Sequence, residues 1–197
     1  MSAVVTSITG LQKLSNNLVY FNADYNGFNT LNLSGLSNLV DVDVSDCNIP
    51  GSGTNSLTSI NLSGCTLLQE LRIDDSNLFN GININHLTNL YWLDVDQSNL
   101  PSLNLSGLSN LYYVDAWGNE DMSVVNISGC SSLVDLALDT CNLSSQTIDH
   151  ITSTLDALGN TGGYLTIDGG TNAVPSVSAM GHITNLQAKS WSVYYNS

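Results

Sequence analysis

Basic side chains are nearly missing from this sequence. Lys13, Arg72 and Lys189 stand against 17 acids, for a formal net charge of −14 over 197 residues. A surface of that sign repels DNA, RNA and anionic membranes. Cations, cationic partners and neutral glycans remain open to it. Only 10% of the residues are charged, against about 25% in ordinary globular domains. The apolar positions are strictly periodic, so the shortage of charge does not mark disorder. No hydrophobic run reaches the ~18–20 residues needed to span a bilayer. Met1-Ser2-Ala3-Val4-Val5 lacks the basic start and apolar core of a signal peptide, so the protein either acts without Sec export or has lost its signal. The signatures G-x-S-x-G, H-E-x-x-H, C-x-x-C, G-x-G-x-x-G and the P-loop are missing too. His86, His150 and His182 are scattered and read as packing or surface residues. Paired carboxylates could hydrolyse a glycoside, but an open sheet offers little desolvation to raise one pKa. The expectation is a protein that is not an enzyme.

What is present is a repeat. One half-unit reads L-x-x-L-x-L-x-x-(N/C/S) and starts at Leu18, Leu39, Leu68, Leu90, Leu111 and Leu133. The other reads (L/I/V)-N-(L/I)-S-G-(L/C), at Leu31–Leu36, Ile60–Cys65, Ile82–Leu87, Leu103–Leu108 and Val125–Cys130. Asn85-His86 replaces Ser-Gly in the third copy. Most units are about 21–22 residues long; one is longer because Pro50-Gly51-Ser52-Gly53-Thr54-Asn55-Ser56 is inserted, a surface-loop composition. Apolar residues two apart predict short strands in both halves. Stacked turn upon turn, they predict two parallel sheets.

This pattern resembles the leucine-rich repeat family, and within it the bacterial and phage subclass of about 21 residues. The resemblance covers roughly residues 18–143. It implies a solenoid that works by presenting a surface. The chain departs from the subclass where Asn32, Asn61, Asn104 and Asn126 replace a common Asp. The usual ladder asparagine appears as Asn26 and Asn119 but is Cys or Ser in other rows. There, Asn48, Asn77, Asn99 and Asn142, one place later, are candidate substitutes. The organisation expected is an N-terminal cap at 1–17, the solenoid at 18–143 and a C-terminal α/β capping module at 144–197.

In that module Ser144–Leu158 reads as an amphipathic helix with Ile148, Ile151, Leu155 and Leu158 on one face, capped by Ser144 or Ser145 and stopped by Gly159. Tyr164–Ile167 reads as a strand, Asp168–Asn172 as a turn, Ser176–Lys189 as a second helix and Trp191–Tyr195 as a last strand. The order Gly-Gly-Thr-Asn-Ala-Val-Pro, then Ala188-Lys189-Ser190-Trp191-Ser192-Val193, is similar to the C-terminal segment of repeat-bearing phage structural proteins and bacterial surface proteins. That likeness implies a virion or cell-surface setting.

Cys47 and Cys141 sit at the ladder position, and Cys65 and Cys130 stand where other rows have Leu. All four read as small buried hydrophobes with free thiols rather than disulfides. Asn32, Asn61, Asn104, Asn126 and Asn142 each begin N-x-S, the form of a glycan acceptor. A stacked amide ladder is the reading preferred for the strand asparagines.

Positions three, five and seven of each Leu row point away from the core. The third column is Tyr20, Asp41, Glu70, Trp92, Tyr113, Asp135. The fifth is Asn22, Asp43, Arg72, Asp94, Asp115, Ala137. The seventh is Asp24, Ser45, Asp74, Asp96, Trp117, Asp139. With Asp46 and Asp75 at position eight, 12 of the 17 acids lie on or beside this face. Arg72, between Asp43 and Asp94, is placed to relieve their charge. Two readings compete. Either the acids solvate the face and the aromatics stiffen it, or Tyr20, Trp92, Tyr113 and Trp117 contact a ligand whose donors reach Asp94, Asp96 and Asp115. Ca²⁺ held by Asp74, Asp94 and Asp96 is a third possibility. The partners expected are a protein or glycan on a cell or virion surface, or further copies of the chain.

Overall fold

The computed structural model describes residues 4–14, 17–47 and 57–197. The inserted loop at 50–56 and Asn48 lie outside them. A short 3₁₀ turn at Leu11–Leu14 precedes ten three-residue strands. Six come from the Leu rows: β1 (Tyr20–Asn22), β3 (Asp41–Asp43), β5 (Glu70–Arg72), β6 (Trp92–Asp94), β8 (Tyr113–Asp115) and β10 (Asp135–Ala137). Four come from the Asn rows: β2 (Thr30–Asn32), β4 (Ser59–Asn61), β7 (Ser102–Asn104) and β9 (Val124–Asn126). The chain ends with α1 (Ser145–Leu158), β11 (Tyr164–Ile167), α2 (Val177–Ala188) and β12 (Ser192–Tyr195).

The strands stop after three residues for a local reason. In most of them an Asp or Asn closing the strand accepts the amide two residues on, Asp43 from Ser45 at 3.2 Å and Asp115 from Trp117 at 3.1 Å; Arg72 and Ala137, which close β5 and β10, have no such acceptor. Asn32, Asn61, Asn104 and Asn126 do the same for Ser34, Ser63, Ser106 and Ser128. These Asx turns steer the backbone off the strand. They correct the expected amide ladder, because each amide oxygen serves its own turn, not the next strand.

The Leu rows pair in parallel, in the order β1-β3-β5-β6-β8-β10-β11-β12. The two C-terminal strands thus extend the solenoid's own sheet. The second expected sheet is not continuous: β2 pairs with β4 and β7 with β9, and Ile82–Ile84 pairs with neither. Gly64 and Gly129, at φ +85° and +81°, lie with their neighbours' Cα atoms 3.4 Å from where a Cβ would sit. In the third copy His86 takes that place, and the close stacking is lost. Asn85 and His86 bridge the gap instead, with Asn85 Nδ2 donating to the Ser106 carbonyl at 3.1 Å and His86 Nε2 lying 3.1 Å from the Leu62 carbonyl.

The core is a stack of equivalent positions, with Val42, Leu71, Leu93, Val114, Leu136 and Leu165 fully buried in one column. Such burial contributes roughly 1.5–3 kcal/mol per large side chain. Buried polar groups stitch successive turns. Asn119 donates to the Val95 and Ala116 carbonyls and accepts from the Ser98 and Leu100 amides. Asn172 repeats the role in the capping module, bonding Leu138, Asp168 and Leu143. At the equivalent position of neighbouring turns Ser98 Oγ donates to Ile73, and Cys141 Sγ to Ala116. Asn77 and Asn99 bond each other at the surface, and Asn142 accepts from Thr171 there, so none replaces the buried ladder residue. The four cysteines are buried and form no disulfide, and burial lifts Cys47 and Cys130 to about 11 and Cys141 to about 12.

The capping module closes one end. Ser144 caps α1, Gly159 ends it at φ 76°, and Ser176 caps α2. Gly169 and Gly170 press against Thr140, and Trp191 is buried with its ring nitrogen donating to the Asn160 carbonyl. Asp156 on α1 accepts from Asn185 and lies within 2.8 Å of Lys189 and His182, tying the two helices together. Among the described residues, no helix is long and apolar enough to cross a membrane.

Candidate functional site

The register places the third and fifth columns as the spacing predicts. Tyr20, Asp41, Glu70, Trp92, Tyr113 and Asp135 are successive neighbours, as are Asn22, Asp43, Arg72, Asp94, Asp115 and Ala137. The predicted site residues divide between positions. Tyr20 lies on the edge strand, 70% exposed and several strands from the rest. Trp92 and Tyr113 stack, ring centroids 3.7 Å apart at 15°. Trp117 is exposed on the seventh column and takes no part in that stack, so the aromatics form a pair and an outlier. The stacked pair uses one ring face of each on the other, which stiffens β6 against β8.

Arg72 does not relieve Asp94. Its guanidinium turns to Asp41 at 3.3 Å and to Glu70 at 2.5 Å. Asp94 is pushed up to about 7, first by burial, then by Asp74, Asp96 and Asp115. Asp96 rises to about 6 for the same main reason, with Asp74 and Asp115 adding. The open-sheet expectation of little desolvation is therefore corrected: the sheet does desolvate a carboxyl. Asp94 Oδ1 and Trp92 Nε1 are buried without a hydrogen-bond partner. Oxygens of Asp74, Asp94 and Asp96 lie within 4.8 Å of one another, as do those of Asp46, Asp74 and Asp75. Three hard oxygen donors at that separation are a chemically suitable start for a Ca²⁺ site. Ser45 donates to Asp74 and occupies part of its acceptor capacity.

The structure adds residues the columns alone did not reach. Because β11 and β12 join the sheet, Tyr164, Thr166 and Asp168 follow β10, and Tyr194 follows them. With Tyr113, Asp115, Asp135 and Asp139 they line a groove of about 530 Å³. The signal was in the sequence: Leu165 and Ile167 carry the same alternation as Leu136 and Leu138. No family model matches the chain, and a search of the curated proteins finds no match.

Proposed function

We propose that the chain is a leucine-rich repeat protein of the bacterial and phage type, acting as a non-catalytic recognition or adhesion module. It sits on a phage virion or a bacterial surface and contacts a host or neighbouring surface through the Leu-row face. The observation carrying this reading is one eight-stranded sheet whose solvent face bears acids and large aromatics. Among the described residues Arg72 is the one basic side chain paired with that face. Uncompensated acids and exposed aromatics are costly on a surface that binds nothing. A glycan array and a calcium titration on wild type and a Trp92→Ala/Trp117→Ala variant test it. Binding lost in a variant with unchanged circular dichroism supports the face; equal binding by both, or none by wild type, contradicts it.

Of three further readings, calcium binding and glycan cleavage each have an observation behind them. The Asp74, Asp94, Asp96 cluster supports Ca²⁺ binding, which requires deprotonated ligands and so should strengthen as pH rises past 7. Micromolar-to-millimolar calcium should then raise the melting temperature at pH 8 and not at pH 5; no shift at pH 8 removes the site. A raised Asp94 near Asp115 also suits a glycan-active enzyme. Cleavage of an array glycan that Asp94→Asn or Asp115→Asn abolishes would establish that alternative. A structural protein assembling through its own surface is separated by solution mass: a stable monomer counts against it.

A further inference from the structure

The fifth-position column drops from Asp115 to Ala137 and Thr166 before rising again at Tyr194. Two short side chains on adjacent strands leave the groove of about 530 Å³. At about 4.8 Å per strand its floor runs ~14 Å. Tyr113, Asp135 and Tyr164 form one bank, Asp139 and Asp168 the other. Thr166 Oγ1 donates to Asp139 at 2.7 Å and holds that carboxylate in place. Tyr164 and Tyr194 meet with centroids 5.3 Å apart at 44°.

Among the described residues, no basic side chain neutralises this groove. Arg72 is paired with Asp41 and Glu70, Lys189 with Asp156, and Lys13 lies in the 3₁₀ turn that precedes β1, at the far edge of the sheet. A bare divalent ion is a poor occupant. Among the described residues, the carboxylate triads close enough to share one ion lie elsewhere, whereas these acids are spread along two banks. A sugar ring prefers a flat aromatic platform, and the two tyrosines form a tilted corner. What fits is a cation that is broad, planar and partly apolar. A guanidinium stacks on tyrosine, forks to carboxylates and carries an apolar stem. Resting on the recognition reading above, we propose that this groove seats an arginine side chain of a partner polypeptide.

The probe is the blocked peptide acetyl-Gly-Arg-Gly-amide, titrated into isotopically labelled protein at about 0.15 M salt and followed by amide chemical shifts. The citrulline peptide, equal in shape and uncharged, is the control. Arginine-dependent shifts should centre on β8, β10, β11 and β12. Citrulline, Tyr164→Ala/Tyr194→Ala and Asp135→Asn/Asp139→Asn should each weaken binding by about tenfold or more, as loss of a charge-assisted or cation–π contact implies. Asn104→Ala, at an exposed position on the Asn rows, should leave it unchanged. The tyrosines are 41% and 49% exposed, so their truncation leaves the core intact. Equal binding of the citrulline peptide, or shifts spread along Asp43, Asp74 and Asp96 that vanish with salt, would overturn the assignment. If the peptide is ignored while a glycan binds wild type and not the Trp92→Ala/Trp117→Ala variant, the recognition face stands and the arginine groove falls.

Discussion

Single side chains explain most of what separates one turn of this solenoid from the next. Asn119 is fully buried and makes four hydrogen bonds to two turns. Asn104 is exposed, and its oxygen accepts the Ser106 amide in its own turn. Asn119→Ala should therefore cost about 2–4 kcal/mol in urea unfolding, and Asn104→Ala below ~1 kcal/mol. Similar losses would reinstate an amide ladder. Asp94 and Asp96 make an opposite kind of contribution. Their folded pKa values exceed the unfolded value near 3.8, so the folded state binds more protons between about pH 4 and 7. Stability should rise as pH falls from 8 to 5. Asp94→Asn should raise the melting temperature at pH 8 and flatten that slope. Solvent screening of a partly exposed group holds the gain to on the order of 1 kcal/mol. A melting temperature that falls steadily from pH 8 to 5 would refute the burial of Asp94. The buried ladder at Asn119 was legible from spacing. The role of Asn104 was not, because a strand-end asparagine serves a turn or a ladder equally well in sequence. The turn wins because its amide is only two residues away.

At the scale of elements, the capping module was legible piece by piece. Helix spacing and the Ser144 and Gly159 signals locate α1 to within a residue. What the broken repeat obscured, despite the alternation at Leu165 and Ile167, was that β11 and β12 join the Leu-row sheet. The connecting helices replace the Asn rows there, so the repeat ends in sequence while the ladder continues in space. The second face failed the other way: a motif repeated five times predicts a continuous sheet, but Asn85-His86 breaks it into two pairs. Two glycines test the packing of the module. A Cβ on Gly163 would lie 2.5 Å from the Trp191 ring, whereas Gly181 within α2 has open space around it. Gly163→Ala should destabilise by ~1–3 kcal/mol and alter the near-ultraviolet tryptophan signal. Gly181→Ala should stabilise by up to ~1 kcal/mol. Asp156, held well below the usual carboxylate range by Asn185, His182 and Lys189 despite the opposing cost of burial, adds stability above pH ~4 that is lost as pH falls further. The pH profile should thus turn over in acid, and Asp156→Asn should remove that acid limb.

The whole molecule is a parallel-stranded solenoid with a strongly acidic, aromatic-bearing sheet face and a quieter, interrupted one. The columns of the first face were legible because a two-residue side-chain period leaves no freedom once the core leucines are fixed. The identity of anything bound was not, since a repeat specifies a surface and only the side chains on it specify a ligand. The most direct measurement is an array of glycans and arginine-bearing peptides probed with three proteins: wild type, Trp92→Ala/Trp117→Ala/Tyr164→Ala on the Leu-row face, and Asn61→Ala/Asn104→Ala on the Asn rows. The recognition account predicts that a wild-type signal disappears in the first variant and persists in the second. A signal lost only in the second, or retained in both, would place the binding surface elsewhere and contradict it.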